Sequence, residues 1–267
     1  MIGYLALARE TFDVEFAESK FAKAKSLLIS LAPNAIGFDD LITNDDSAEN
    51  ALSFFNSNDC EKIFIFQTTF TDAKFLLNFA QTIKKPICIV SFPEPRTGGR
   101  LRLNSICGLN LGMHSLIKNS INAEFVIMDA DEKLNKSLFE GFISGNVIKD
   151  QHSWKEASLG NSQTNFDYSI DKQTIGIIGT RPEGFDTCDY DSNEVTNKLN
   201  VSLVDLELEE LFDEAKSVET DTIVKTKNTV SSYLQGTEEL VQEELDKSLS
   251  IYHGLESLKD KHNLDAF

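Results

Sequence analysis

The chain has 267 residues, 43 of them acidic and 25 basic, which gives a formal charge of −18. With 41% hydrophobic and 25% charged residues it has enough apolar side chain to offset chain entropy, and this excludes disorder as its main state. No apolar run approaches the roughly 20 residues of a membrane span, residues 1–8 lack the basic flank of a signal peptide, and the acidic balance argues against nucleic acid or an anionic membrane as a partner.

In chain order, Ile2–Ala8 reads as a first strand. Ala17, Phe21, Ala24, Leu28 and Leu31 follow at the three- and four-residue steps of an amphipathic helix, which Pro33 and Asn34 stop. Ala35–Phe38 is a short strand, and Ser47–Phe55 a helix with Asp45 or Asp46 as its N-cap. Lys62–Phe66 is a strand. Asp72 opens a helix whose stripe is Leu76, Phe79, Ala80 and Ile83. A strand at Pro86–Ser91, a long loop from Phe92 to Arg102, a helix from Asn104 to Lys118, a strand at Glu124–Met128 and a helix from Glu132 to Phe142 complete this series.

Near-continuous apolar strands alternating with helices indicate a parallel sheet covered on both faces. The expected fold is therefore α/β, with two Rossmann-like, doubly wound parallel-sheet units. Residues 1–150 form the first, the polar stretch 151–173 a linker, and 174–267 the second. The second unit takes Thr174–Ile178 and Val201–Leu206 as strands and Gly179–Asp191 as a loop. Its helices are expected at Asn193–Lys198, at Glu207–Lys216 and from Glu238 to Lys261, the last with Val241, Leu245, Leu249, Tyr252 and Leu255 on its stripe. Residues 174–267 carry 21 acids and 8 bases, a solvated acidic helical face. Two strands are too few to cover these helices, so the second unit reads as truncated: another chain completes it, or the gene product is cut short.

Only five arginines stand against twenty lysines, and all five follow predicted strands: Arg9 the first, Arg96, Arg100 and Arg102 the fourth, Arg181 the sixth. Open parallel sheets bind ligands beyond the carboxyl ends of their strands, and arginine offers a fixed fork of donors to oxygen-rich groups. The loop Ser91-Phe-Pro-Glu-Pro-Arg-Thr-Gly-Gly-Arg-Leu-Arg-Leu-Asn104 combines stiffening prolines with Gly98 and Gly99, and a lid or oligomer contact is the competing reading. Arg9, Arg96, Arg100, Asn104 and Arg181 are the candidate substrate-binding residues.

Other chemistry is poorly supported. No GxGxxG opens a helix and no GxxxxGK[ST] is present. His114, His152, His253 and His262 are isolated and read as packing or surface residues. Asp129, Asp131 and Glu132 suit helix capping better than cation binding. Cys60, Cys88, Cys107 and Cys188 form no CxxC pair and read as reduced thiols in the cytoplasm. Gly179-Thr-Arg-Pro-Glu matches the opening strand-loop of nucleotide-sugar 2-epimerases, a five-residue signal.

Residues 91–110, Ser-Phe-Pro-Glu-Pro-Arg-Thr-Gly-Gly-Arg-Leu-Arg-Leu-Asn-Ser-Ile-Cys-Gly-Leu-Asn, resemble the L-fucose isomerase-like branch of the fucose/arabinose isomerase superfamily. Residues 179–190 and the opening Tyr4–Phe12 are similar to it as well. The resemblance implies a longer, three-domain cytoplasmic enzyme that interconverts aldoses and ketoses with Mn²⁺ held by a Glu, an Asp and a His. Those ligands belong to the end of the second domain and to the third. The expectation is thus an N-terminal portion of a metal-dependent sugar isomerase that lacks the metal ligands, is inactive alone and binds no cofactor tightly. In the family the first domain borders the active site of a neighbouring subunit, and Arg9 matches an arginine that reaches the sugar. A sugar is the implied small-molecule partner, with a homo-oligomer or a complementing C-terminal chain. A non-catalytic sugar- or organic-anion-binding module is the main rival reading, and a nucleotide-sugar epimerase-like protein a minor one.

Overall fold

The computed structural model describes residues 1–128, 136–146 and 172–267. The expected linker falls almost wholly outside these residues, as do Asp129, Asp131, Glu132 and His152. The described residues form two compact units: the first holds residues 1–146 with Pro182–Cys188, the second the remaining residues from 172 onward.

In the first unit, β1 (Ile2–Leu7), β2 (Ile36–Ile42), β3 (Lys62–Gln67), β4 (Ile87–Ser91) and β5 (Ala123–Ile127) form one parallel sheet in the order 2-1-3-4-5. Alternating side chains face opposite sides. Tyr4, Ala6, Phe64, Phe66, Cys88 and Val90 pack beneath α1 (Val14–Leu31) and α5 (Lys136–Ser144), whose Phe21, Leu28, Phe139 and Phe142 complete that core. Leu5, Leu7, Ile63, Ile65, Ile87 and Ile89 pack under α2 (Asp45–Ser57), α3 (Lys74–Ile83) and α4 (Ser105–Lys118). Both faces are covered, which is the doubly wound α/β arrangement expected. Burial pushes the Cys88 thiol well above its ordinary range, so it is a packing residue and not a nucleophile.

Two local expectations are corrected. The second strand runs to Ile42 and not Phe38, because β2 is an edge strand whose Asp39 and Asp40 face solvent and interrupt the apolar run. Asn44, not Asp45 or Asp46, caps α2: its side chain accepts from the Ser47 N–H at 2.9 Å while the Ser47 hydroxyl serves the Asn44 N–H at 3.1 Å.

The second unit pairs β6 (Gln173–Ile178) with β7 (Val201–Leu206) in parallel. Around this pair lie α6 (Ser192–Leu199), α7 (Leu208–Lys216), α8 (Thr220–Tyr233) and α9 (Gln242–His262). Its core is small: Leu206, Leu211, Leu258 and Leu264, with Ile178, Val204, Ile251 and Leu255 against them. After α9, Ala266 makes an isolated parallel bridge with Ile175 and accepts the Gly176 N–H at 2.9 Å. Of the stripe expected on the long helix, Leu249 is buried and Leu255 packs against this core, but Val241 and Tyr252 are 69% and 48% exposed, and Gly254 and Leu258 are buried as well.

Candidate functional site

The strand order 2-1-3-4-5 switches direction between β1 and β3, so the loops that leave their carboxyl ends run to helices on opposite faces, α1 and α3, and open a crevice. Buried polar groups close its floor. The Thr68 N–H and hydroxyl donate to the Leu7 carbonyl at 3.0 and 2.6 Å, and the Arg9 N–H donates to Thr69 Oγ1 at 2.8 Å. The Gln67 amide donates to the Thr69 carbonyl and to Thr71 Oγ1 at 2.7 and 2.9 Å. Ser105 donates to the Gln67 carbonyl and accepts from Ser91 and from the Phe92 N–H. Satisfied in this way, the buried groups make a rigid edge. The sequence reading passed over this seam; its signal was Gln67-Thr68-Thr69 directly behind the apolar run of β3.

Beyond this edge a cleft of about 710 Å³ opens on the carboxyl ends of β1 and β2, between α2 and α3. Arg9, Asn44, Glu49, Asp72, Lys74 and Glu183 are among its lining residues. Arg9 Nη2 lies 3.8 Å from Asp72 Oδ2, and its guanidinium sits over the Phe70 ring at 6.0 Å. Asp72 also accepts the Lys74 N–H at 3.0 Å, which satisfies one of the amides that open α3. Lys74 pairs with Glu183 at 3.1 Å, and this partner raises the ammonium pKa. Carboxylates beside a guanidinium and an ammonium offer both acceptors and donors, as a polyol requires.

The loop between β4 and α4 is folded by its own charges. Glu94 turns back to accept the N–H groups of Arg102, Leu103 and Asn104, while Gly98 and Gly99 take φ of +73° and +80°. Arg102 stacks on Phe16 at 3.9 Å and pairs with Asp13 at 2.8 Å. Asp13 in turn caps α1 through the Phe16 N–H at 3.0 Å. That bond, with Arg102, holds the Asp13 carboxyl below its ordinary range. Arg100 donates to the Thr11 carbonyl at 3.1 Å.

The candidate residues separate accordingly. Arg9 lines the cleft; Arg100, on the loop between β4 and α4, does not, and instead donates to the Thr11 carbonyl on the loop after β1. Arg96 is exposed, and Asn104 is a left-handed residue (φ +50°) whose side chain does not cap α4; neither lines the cleft. Arg181 belongs to the second unit and lies 4.0 Å from Asp189. Among the described residues no group of three or more His, Cys, Asp or Glu is arranged to hold a metal ion, so these residues do not fit the Mn²⁺ that the resemblance implies. No helix among them is long and apolar enough to cross a membrane.

Residues 3–143 match the family described as fucose/sulfoquinovose isomerase, N-terminal domain. The chain belongs to this family. Its curated relatives include a sulfoquinovose isomerase from Priestia aryabhattai, 27% identical over 212 residues, a match covering 79% of this chain and 43% of the relative. A sulfoquinovose isomerase from Alkalicoccus urumqiensis is 26% identical over 215 residues, covering 80% and 44%. One from Clostridium sp. (strain MSTE9) is 24% identical over 192 residues, covering 70% and 42%. The chain spans about half the length of the curated relatives it matches.

Proposed function

We propose that the chain is the substrate-facing N-terminal portion of an aldose–ketose sugar isomerase, with a 6-deoxy or 6-sulfonated hexose as its substrate class. The family match over residues 3–143 carries this reading. It is supported by Arg9, which follows β1, a strand at the switch in sheet order, and lines a cleft at the carboxyl ends of the strands, where α/β folds take their ligands. In this reading Arg9 donates to sugar hydroxyls while neighbouring carboxylates accept from them. The chain binds and orients the sugar. The base that removes the C2 proton and the Mn²⁺ ligands come from other parts of the complete cytoplasmic enzyme, within an oligomer or from a complementing chain.

Incubating the purified 267-residue chain with L-fucose or sulfoquinovose and Mn²⁺ is expected to yield no ketose. Steady ketose production would overturn the assignment of the chemistry to residues outside this chain.

A further inference from the structure

Pro182–Cys188 lie in sequence between β6 and α6, yet they are part of the first unit. Four anchors hold them there. The Gly184 carbonyl accepts the Ala73 N–H at 3.1 Å, Glu183 pairs with Lys74 at 3.1 Å, Phe185 meets Phe70 at 5.9 Å, and Asp186 accepts from the fully buried Ser115 hydroxyl at 3.0 Å. Ala73, at the start of α3, has no side-chain cap, so the strap supplies an acceptor that the helix lacks locally.

The same strap surrounds the two groups that orient Arg9. Phe70, whose face lies under the guanidinium, is flanked by Phe12 at 6.3 Å and by Phe185 at 5.9 Å. Asp72, the ion-pair partner of Arg9, lies against Gly184, where a Cβ would come within 2.9 Å of Asp72 Oδ1 and 3.0 Å of the Lys74 nitrogen. Gly184 also holds φ at +82°, so both space and backbone demand glycine there.

We propose that the strap Pro182–Cys188 is a positioning clamp for Arg9: Phe185 fixes Phe70 and Gly184 fixes Asp72, and these two together aim the guanidinium into the cleft. Docking of the strap and binding of ligand at Arg9 are then coupled, each favouring the other to the same degree. The ligand arm of this inference rests on the reading of Arg9 as sugar-facing; the orientation of Arg9 does not.

Labelling of the 267-residue chain with phenylglyoxal, read residue by residue by mass spectrometry, tests the clamp without a ligand. In Phe185→Ala, labelling of Arg9 is expected to rise about threefold or more, while Arg96 and Arg100 stay unchanged as internal references. Phe185→Tyr should restore protection. Asp72→Asn, which keeps an acceptor for the Lys74 N–H but drops the charge, should also raise Arg9 labelling. Unchanged Arg9 labelling in folded Phe185→Ala and Asp72→Asn, judged by circular dichroism, would overturn the proposal.

The ligand arm is a double-mutant cycle with L-fucose or sulfoquinovose. Phe185→Ala should weaken binding in the wild-type background and change it less than about 1.5-fold once Arg9→Ala is present. Fully additive losses would contradict action through Arg9. Altered Arg9 labelling with no sugar binding in the wild type would remove the substrate reading and leave the clamp standing.

Discussion

The Tyr4 ring lies over Gly37, where a Cβ would come within 2.3 Å of it, and the Tyr4 hydroxyl donates to Asp39 at 2.7 Å. One side chain thus packs β1 against the edge strand β2 and ties down an exposed carboxylate. Burial first, and then the Asp39 carboxylate, push the Tyr4 phenol above its ordinary value of about 10. A raised phenol pKa in the folded state contributes stability that is fully present below the unfolded value and is lost as pH rises above it. The urea midpoint of the wild-type chain should therefore be lower at about pH 11 than at about pH 9. In Tyr4→Phe this part of the fall should be missing; a variant with the same alkaline slope would show that Tyr4 is not its source.

At the scale of elements, α4 approaches the sheet through Gly108 and Gly112, one helical turn apart. A Cβ at Gly108 would lie 2.9 Å from the Gln67 amide nitrogen and 3.1 Å from the Phe70 Cα, and one at Gly112 would lie 2.6 Å from Leu76. Helix propensity alone favours alanine over glycine by about 1 kcal/mol, but overpacking costs about 1–3 kcal/mol, and here the clash includes backbone. Gly108→Ala should lower unfolding free energy by about 1 kcal/mol or more in urea titration; a more stable variant would contradict the close packing. Elements with strong apolar periodicity were legible in the sequence, as β3 and the Leu76–Phe79–Ala80 stripe show. The sequence reading missed α8, Thr220–Tyr233, because its Thr, Val, Ser and Asn are poor helix formers and it buries no side chain. Contacts from α9 hold it instead, Thr226 with His253 at 2.8 Å and Lys227 with Asp246. The face of α9 was legible only in part: Leu249 and Leu255 of the expected stripe face the core, while Val241 and Tyr252, which fit the same helical period, are exposed and the packing is centred on Leu258.

At the scale of the whole molecule, the arginines are concentrated. The chain carries −18 overall, while four of its five arginines fall on two neighbouring loops of the first unit. That concentration was legible because arginine is scarce and loop positions after strands are easily found. The division of labour among the arginines was not legible. Arg102 is committed to Asp13 and Phe16, and Arg9 to a cleft whose outer wall includes Glu183 and Gly184, residues more than 170 positions away along the chain. Sequence spacing carries no record of such a return, which rests on Gly184 fitting against Asp72. The proposed function turns on Arg9 as the sugar-binding cation. Saturation-transfer NMR of the 267-residue chain with L-fucose and with sulfoquinovose measures this directly. We expect saturable binding of at least one of the two sugars, weakened about tenfold or more by Arg9→Ala as a charge-assisted contact is lost. Binding of neither sugar, or equal binding by the Arg9→Ala variant, would contradict the account.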